Sequence, residues 1–177
     1  VDENLVLFGS SDGNLYALDT VDGSEVWRFP TGDKIWSGAA VAAGAVHFGS
    51  MDHSIYTVSL ADGSELWRFL TEGAIVATPV VSKGRVLVGS FDGVFYAIDA
   101  VTGQETWRFE GAENWYWGDA IVVDDAVFVP SMDGSLYALS VDTGKLLWAI
   151  ETDGPIAGSP AVFLDMVNEP IIAVTSA

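Results

Sequence analysis

Along the chain, short runs of alternating apolar and polar residues recur between clusters of Gly, Asp and Thr, and no stretch keeps a helical period of useful length. Arg85 to Ser90 (RVLVGS) is a short β-branched run, Asp92-Gly93 follows, and Val94 to Asp99 (VFYAID) alternates before Thr102-Gly103 and a last run through Trp107 to Phe109. Asp-Gly between two such runs predicts a two-residue hairpin with both turn residues at positive φ. A further run precedes each of these groups, at Gly38 to Val41, Thr78 to Val81, Gly118 to Val123 and Ser159 to Phe163. The pattern predicts four short antiparallel strands per unit.

The unit repeats. Trp27, Trp67, Trp107 and Trp148 fall 40, 40 and 41 residues apart, closing the copies GSSDGNLYALDTVDGSEVWRF, GSMDHSIYTVSLADGSELWRF, GSFDGVFYAIDAVTGQETWRF and PSMDGSLYALSVDTGKLLWAI. A period near 40 suits propeller blades or two-helix solenoids, and strand content decides for blades, hence an all-β β-propeller. Small Ala17, Ala97 and Ala138, with Thr57 in the second copy, are expected to leave room for neighbouring sheets. The Trp ten residues after each (Trp27, Trp67, Trp107 and Trp148) is expected to dock over such a position on the next blade. Asp19, Ser59, Asp99 and Ser140 are suited to accept hydrogen bonds in the turn that follows. Repeated in register, the Trp and turn Asp residues read as structural, not catalytic.

The segments ALDTVDGSEVW, AIDAVTGQETW and ALSVDTGKLLW resemble the tryptophan-docking repeat of the pyrroloquinoline-quinone-like β-propeller superfamily: Ala, an Asp or similar two on, Gly four further, Trp four further again. The resemblance spans essentially the whole chain. It implies a propeller that typically closes with eight blades, of which about four are present as blades near 1–30, 31–70, 71–110 and 111–151 and a partial blade over 152–177. The superfamily includes quinoprotein dehydrogenases, the propeller lipoprotein of bacterial outer-membrane assembly, and sensor or surface domains, and a shared fold does not choose among them.

Both termini fall inside a blade. Asn4 to Ser10 aligns with a second strand, while Ser159 to Phe163 and Pro170 to Thr175 read as the first two strands of a fifth blade. The expectation is a piece of a longer chain or a self-associating half-ring, because bare blade ends present unpaired strand edges.

Charge narrows the partners. With 25 acidic and 7 basic residues the formal net charge is −18, a surface that repels phosphate backbones, so no nucleic acid is expected. A solvating surface of the halophile type and the outer face of an acidic extracytoplasmic protein both fit this charge. The absence of cysteine excludes disulfides, thiol catalysis and thiolate metal sites. Apolar runs are of strand length, so no membrane-spanning helix is expected. The start at Val1 is what processing or truncation would leave.

Catalytic constellations are missing from the pattern. His53 takes the turn place that is Gly in the other copies and reads as a turn substitute, and His47 reads as an ordinary strand residue without metal-spaced partners. Neither a nucleophile elbow with an accompanying His nor a phosphate-binding Gly loop occurs. No catalytic residue, metal ligand or resident cofactor is expected.

One link between blades departs from the repeat. TGDKIWSG (31–38), TEGAIVATP (71–79) and TDGPIAGSP (152–160) correspond, whereas EGAENWYWGD (110–119) is one residue longer. It places Trp115, Tyr116 and Trp117 between Glu113 and Asp119, with Asn114 beside them, and Trp36 occupies a similar place earlier. In propellers such links lie beside the central channel, so Trp36, Glu113, Asn114, Trp115, Tyr116, Trp117 and Asp119 form the candidate binding set. The same rings would alternatively plug the channel or a blade seam.

These features point to a non-enzymatic interaction module for protein partners, working in the periplasm or at the cell surface. The resemblance leaves two alternatives. One is a ligand-sensing domain of a larger protein. The other is a fragment of a quinoprotein dehydrogenase with pyrroloquinoline quinone and calcium, in which Trp117, Asn114 and Asp119 would mimic parts of the site but the usual vicinal disulfide has no cysteines.

Overall fold

The computed structural model describes residues 4–164 and 170–176; residues 1–3, 165–169 and 177, counted above in the first and partial blades, lie outside the described residues. Among the described residues every element is a β-strand. The first sheet holds β1 (Leu5–Gly9), β2 (Asn14–Asp19) and β3 (Glu25–Pro30), in that spatial order. The second holds β4 (Ala39–Ala42), β5 (Ala45–Gly49), β6 (Ser54–Ser59) and β7 (Glu65–Leu70). β8 (Val80–Ser82), β9 (Arg85–Gly89), β10 (Phe95–Asp99) and β11 (Glu105–Phe109) form the third, and β12 (Ile121–Val123), β13 (Ala126–Pro130), β14 (Ser135–Ser140) and β15 (Leu146–Glu151) the fourth. β16 (Ala161–Leu164) and β17 (Pro170–Ala173) pair as a fifth, two-stranded sheet. All pairings are antiparallel between sequence neighbours, which is the blade topology.

The first strands begin later than the pattern predicts because the residues before them bond to the next blade. Gly38 N donates to Thr78 Oγ1 (3.1 Å), Thr78 N to Asp119 Oδ1 (2.6 Å) and Asp119 N to Ser159 Oγ (3.0 Å). This chain of bonds steps from blade to blade along the first strands, and β4, β8 and β12 touch in succession. These strands therefore form the inner edge of the ring.

The turns differ from the expectation in an instructive way. At Asp12-Gly13 only Gly13 has positive φ (85°), with Gly13 N donating to Ser10 O (3.1 Å) and Ser10 N to Asn14 O (3.0 Å). This is a three-residue connection, a type I turn closed by a left-handed residue. His53 takes that left-handed place in the second blade with φ of 70°. Two-residue turns with both residues at positive φ occur instead at Ala43-Gly44 and Lys83-Gly84, between first and second strands.

The core is a series of layers between successive blades rather than one central mass. Leu15, Ala17, Trp27 and Ile35 meet Val46, Phe48, Tyr56 and Val58 between the first two, and Ile55, Trp67 and Ile75 meet Val86, Tyr96 and Ile98 between the next. The Trp does not cover the small residue of the following blade. Ala17, Thr57, Ala97 and Ala138 lie directly across the ladder from their own Trp, each beside a bulge that increases local twist. What Trp27, Trp67 and Trp107 each cover is a turn glycine of the next blade. A Cβ on Gly63 would come within 2.7 Å of Trp27, one on Gly103 within 2.8 Å of Trp67, and one on Gly144 within 2.4 Å of Trp107. Each indole then donates to the same turn: Trp27 Nε1 to Leu60 O (3.0 Å), Trp67 Nε1 to Ala100 O (3.0 Å) and Trp107 Nε1 to Val141 O (2.9 Å).

Trp67 therefore carries both an apolar contact and a partly buried hydrogen bond across a blade seam. Trp67→Ala is expected to lower unfolding free energy by roughly 3 to 5 kcal/mol, read as a shift of the denaturant midpoint. An unchanged midpoint would rule out this role.

Candidate binding face

The links that join blades are held at repeated points. The second-blade turn carboxylate of Asp52 accepts from Gly32 N (2.7 Å) and from Tyr56 OH (2.7 Å). Asp92 does the same for Glu72 N (3.0 Å) and Tyr96 OH (2.9 Å), and Asp133 for Glu113 N (2.9 Å) and Tyr137 OH (2.8 Å). Each turn Asp thus clamps the preceding link to its own blade. Three links carry a second clip: Thr31 Oγ1 donates to Gly13 O and Asp33 O, Thr71 Oγ1 to His53 O and Gly73 O, and Thr152 Oγ1 to Gly134 O and Gly154 O. In the longer link the corresponding residue is Ala112, which has no hydroxyl. A shallow depression of about 400 Å3 opens there, bounded by Phe91, Asp92, Glu110, Ala112, Glu113 and Trp115.

The clamps bring the candidate residues to one face, but not all into one cluster. Met51 N bonds Lys34 O, Phe91 N bonds Ala74 O and Met132 N bonds Trp115 O, so the links run beside the hairpin turns in matching register. Trp117 matches Trp36 by position, each following a buried residue that bonds the previous blade's Ser carbonyl. Trp115 and Trp117 flank Phe91, with ring centroids 5.9 and 5.5 Å from it. Trp36 stands apart on the first link, its indole donating to Ser11 Oγ (3.2 Å) and its ring facing Lys34 Nζ at 5.9 Å. Exposure of Trp36, Trp115 and Trp117 is 50%, 45% and 44%. Phe91 was missed by sequence reasoning, although its place holds Ser11, Met51 and Met132 in the other copies, a deviation that marks it.

Tyr116 corrects the expectation. It is fully buried, in the seam position that Ile35, Ile75 and Ile156 hold elsewhere, with Phe95 5.8 Å away and its Cβ over Gly89. Its backbone N–H donates to Ser90 O (3.3 Å), as Ile35 N does to Ser10 O and Ile75 N to Ser50 O, which sets the residue in the blade seam between two outward indoles. Burial holds the Tyr116 phenol well above its ordinary value. Asp119 and Asn114 are likewise engaged, the carboxylate by Thr78 N and the amide oxygen by Trp115 N (2.9 Å). Trp117 stacks on Phe91, and no cysteine is present to form the vicinal disulfide expected on the other side of a quinone, so Trp117, Asn114 and Asp119 supply only part of such a site. Among the described residues no cluster of three or more His or carboxylate groups is placed to hold a metal. Glu113 and Glu110 remain as exposed carboxylates at the rim, Glu110 lying 3.7 Å from Arg108.

Comparison with known proteins matches the family described as outer membrane protein assembly factor BamB to residues 11–115 and again to 112–176. The chain belongs to this PQQ-like repeat family. The fold also matches the crystal structure of BamB from Moraxella catarrhalis, with TM-score 0.77 and 19% identity over 92% of this chain and 53% of that one. A computationally designed protein, Ika8, matches with TM-score 0.85 and 20% identity over 99% of this chain and 54% of that one. The chain thus spans about half the length of these solved proteins, and at such identity the likeness concerns the fold. No curated protein sequence matches the chain. Among the described residues no helix is long and apolar enough to cross a membrane.

His47 is buried in the scaffold, whereas His53 is an exposed turn residue whose carbonyl holds Thr71 of the second link. His47 pairs across the ladder with Thr57, Nδ1 lying 2.7 Å from Thr57 Oγ1, where the other blades pair Leu7, Leu87 or Phe128 with Ala. The two departures from the repeat are one compensated pair. Burial lowers the His47 pKa from 6.5 to about 4. The folded state then resists protonation while the unfolded chain accepts a proton below about 6.5, so stability is full above that pH and declines as pH falls toward 4. The decline is expected to reach on the order of 3 kcal/mol. His47→Leu combined with Thr57→Ala should remove this part of the pH dependence of the denaturant midpoint between pH 7 and 4, and an unaltered pH profile would contradict it.

Proposed function

We propose that the chain is a non-enzymatic propeller module that presents the face of Trp36, Trp115 and Trp117 to protein partners outside the cytoplasm. The observation that carries this reading is the aromatic group Trp115, Phe91 and Trp117, with two half-exposed indoles beside a depression rimmed by Glu110 and Glu113. An aromatic centre with a polar rim is what a protein interface needs: large apolar area at little rotamer cost, with charge around it to orient the partner. The partner is complementary in charge, a basic segment that meets the acidic rim, since the chain carries −18. Membership of a family named for an assembly factor supports a binding role over a catalytic one, and supports an extracytoplasmic setting. The remaining blades of the ring come from a second copy or from further sequence of a longer polypeptide.

A photo-reactive amino acid at position 115 tests the face directly in cells of the source organism. It is expected to give a discrete protein adduct that competes with added salt, while the same group at Thr102, in a turn between outer strands, gives none. Equal labelling from both positions, or none from 115, would overturn the proposal. Trp117→Ala is expected to weaken the adduct without moving the melting temperature, because the ring is half exposed.

A further inference from the structure

The chain holds several of its own basic side chains in one recurring way. Arg28 lies over the ring of Tyr16, its Cζ 5.8 Å from the centroid, while its Nε donates to Glu25 Oε1 at 2.9 Å. Arg108 lies over Tyr96 at 5.4 Å, and its Nε and Nη2 donate to the carboxylate oxygens of Glu105 at 2.8 and 2.5 Å. Lys34 lies over Trp36 at 5.9 Å. Each of these cations rests on an aromatic face, and for the arginines a carboxylate completes the site. The combination suits a guanidinium, which is planar, stacks on rings and offers its N–H groups as a fork.

The third link supplies the ring and the carboxylates of this arrangement without the cation. Met132 N bonds Trp115 O as Met51 N bonds Lys34 O, so an indole stands where the first link carries its lysine. Beside that indole and Phe91 lies the depression of about 400 Å3, and none of the residues bounding it is basic. Glu110 and Glu113 are exposed at its rim. Arg108 lies 3.7 Å from Glu110 but is already held by Glu105, and the Glu113 carboxylate has no hydrogen-bond or ion-pair partner among the described residues. A backbone acceptor is open as well. Gly13 O, His53 O and Gly134 O each receive the N–H and the hydroxyl of a Thr in the link that follows. The longer third link has no Thr, and Gly93 O, at the matching place on the wall of the depression, receives no such bond among the described residues. Rings, carboxylates and an open carbonyl together call for a flat cation rich in donors.

We propose that this depression takes one arginine side chain of the protein partner, an inference that rests on the protein-binding reading given above. The guanidinium lies against Trp115 and Phe91, as Arg28 and Arg108 lie against their tyrosines, and its N–H groups reach Glu113, Glu110 and Gly93 O. Lysine is the poorer occupant, because an ammonium is a compact, strongly hydrated point charge without the planar fork. The net charge of −18 draws the arginine in, and added salt weakens the contact.

Titration of the isotope-labelled chain with the N-acetyl methylamides of arginine, lysine and citrulline, followed by NMR, tests this without the partner. The arginine derivative is expected to shift the Trp115 indole N–H and the backbone amides of Gly93 and Val94 saturably, and to leave the Trp36 indole in place because Lys34 already lies over it. It should bind roughly tenfold more tightly than the citrulline derivative, its neutral near-isostere. Glu113→Gln, which alters one exposed carboxylate, is expected to weaken arginine binding roughly threefold. Trp115→Leu should abolish the response of Gly93 and Val94 while the rest of the amide spectrum is retained. Citrulline or lysine binding as well as arginine, a Trp36 response equal to that of Trp115, or no response at all overturns the proposal. A photo-adduct from position 115 without arginine preference overturns this pocket and leaves the protein-binding reading standing. A selective arginine response without an adduct supports the pocket and overturns that reading.

Discussion

The seating of an indole on the turn glycine of the next blade is the constraint from which the rest of the molecule follows. A blade of four short strands has two apolar faces and no stability of its own, so each sheet needs a neighbour on both sides. The Trp supplies that neighbour contact at the outer end of the seam, where strands diverge, and its Nε1 bond fixes the angle at which the next sheet arrives. Any side chain on Gly63, Gly103 or Gly144 would occupy the space of the ring. At the inner end the bonds from Gly38 through Thr78 and Asp119 to Ser159 set the spacing along the first strands. Outer wedge and inner chain together define the curvature.

With both ends of each seam committed, variation collects in the links. They are pinned at fixed points by the turn Asp, by a Thr clip, and by the bond from the seam residue's N–H to the previous blade's Ser carbonyl. The longer third link loses the clip at Ala112 and gains a depression beside an aromatic group. The scaffold tolerates this because Asp133 still holds Glu113 N and Met132 still bonds Trp115 O. A rigid frame with one relaxed link is a sound way to present exposed rings, since the rings lose little freedom on binding.

The scaffold also absorbs polar substitution when it comes in pairs. His47 in the seam would leave an unpartnered ring nitrogen were it opposite Ala, and Thr57 would leave an unpartnered hydroxyl opposite Leu. Together they satisfy each other at 2.7 Å, beside the ring of Trp67. Tyr116 is the contrasting case, a buried phenol whose hydroxyl has no partner among the described residues, kept by the packing of its ring between Gly89 and Phe95.

The sequence by itself determined the strands, the blade unit and its repetition, because alternation with period two and turn residues at fixed offsets are local properties of the chain. Its Trp-to-Trp period was enough to name the propeller class, and the odd link with its tryptophans was visible as a break in that period. Tertiary structure alone decided what the indoles rest on, since the Ala opposite each Trp and the Gly of the next turn are both small and both at fixed distance in sequence. Only the blade-to-blade approach distinguishes them. It likewise decided that Tyr116 turns inward between Trp115 and Trp117, that Phe91 joins those two rings from a neighbouring hairpin, and that Asp119 and Asn114 are engaged by backbone. Those facts depend on which residues from links and turns some 20 to 40 positions apart are brought into contact, and one-dimensional periodicity carries no information about that.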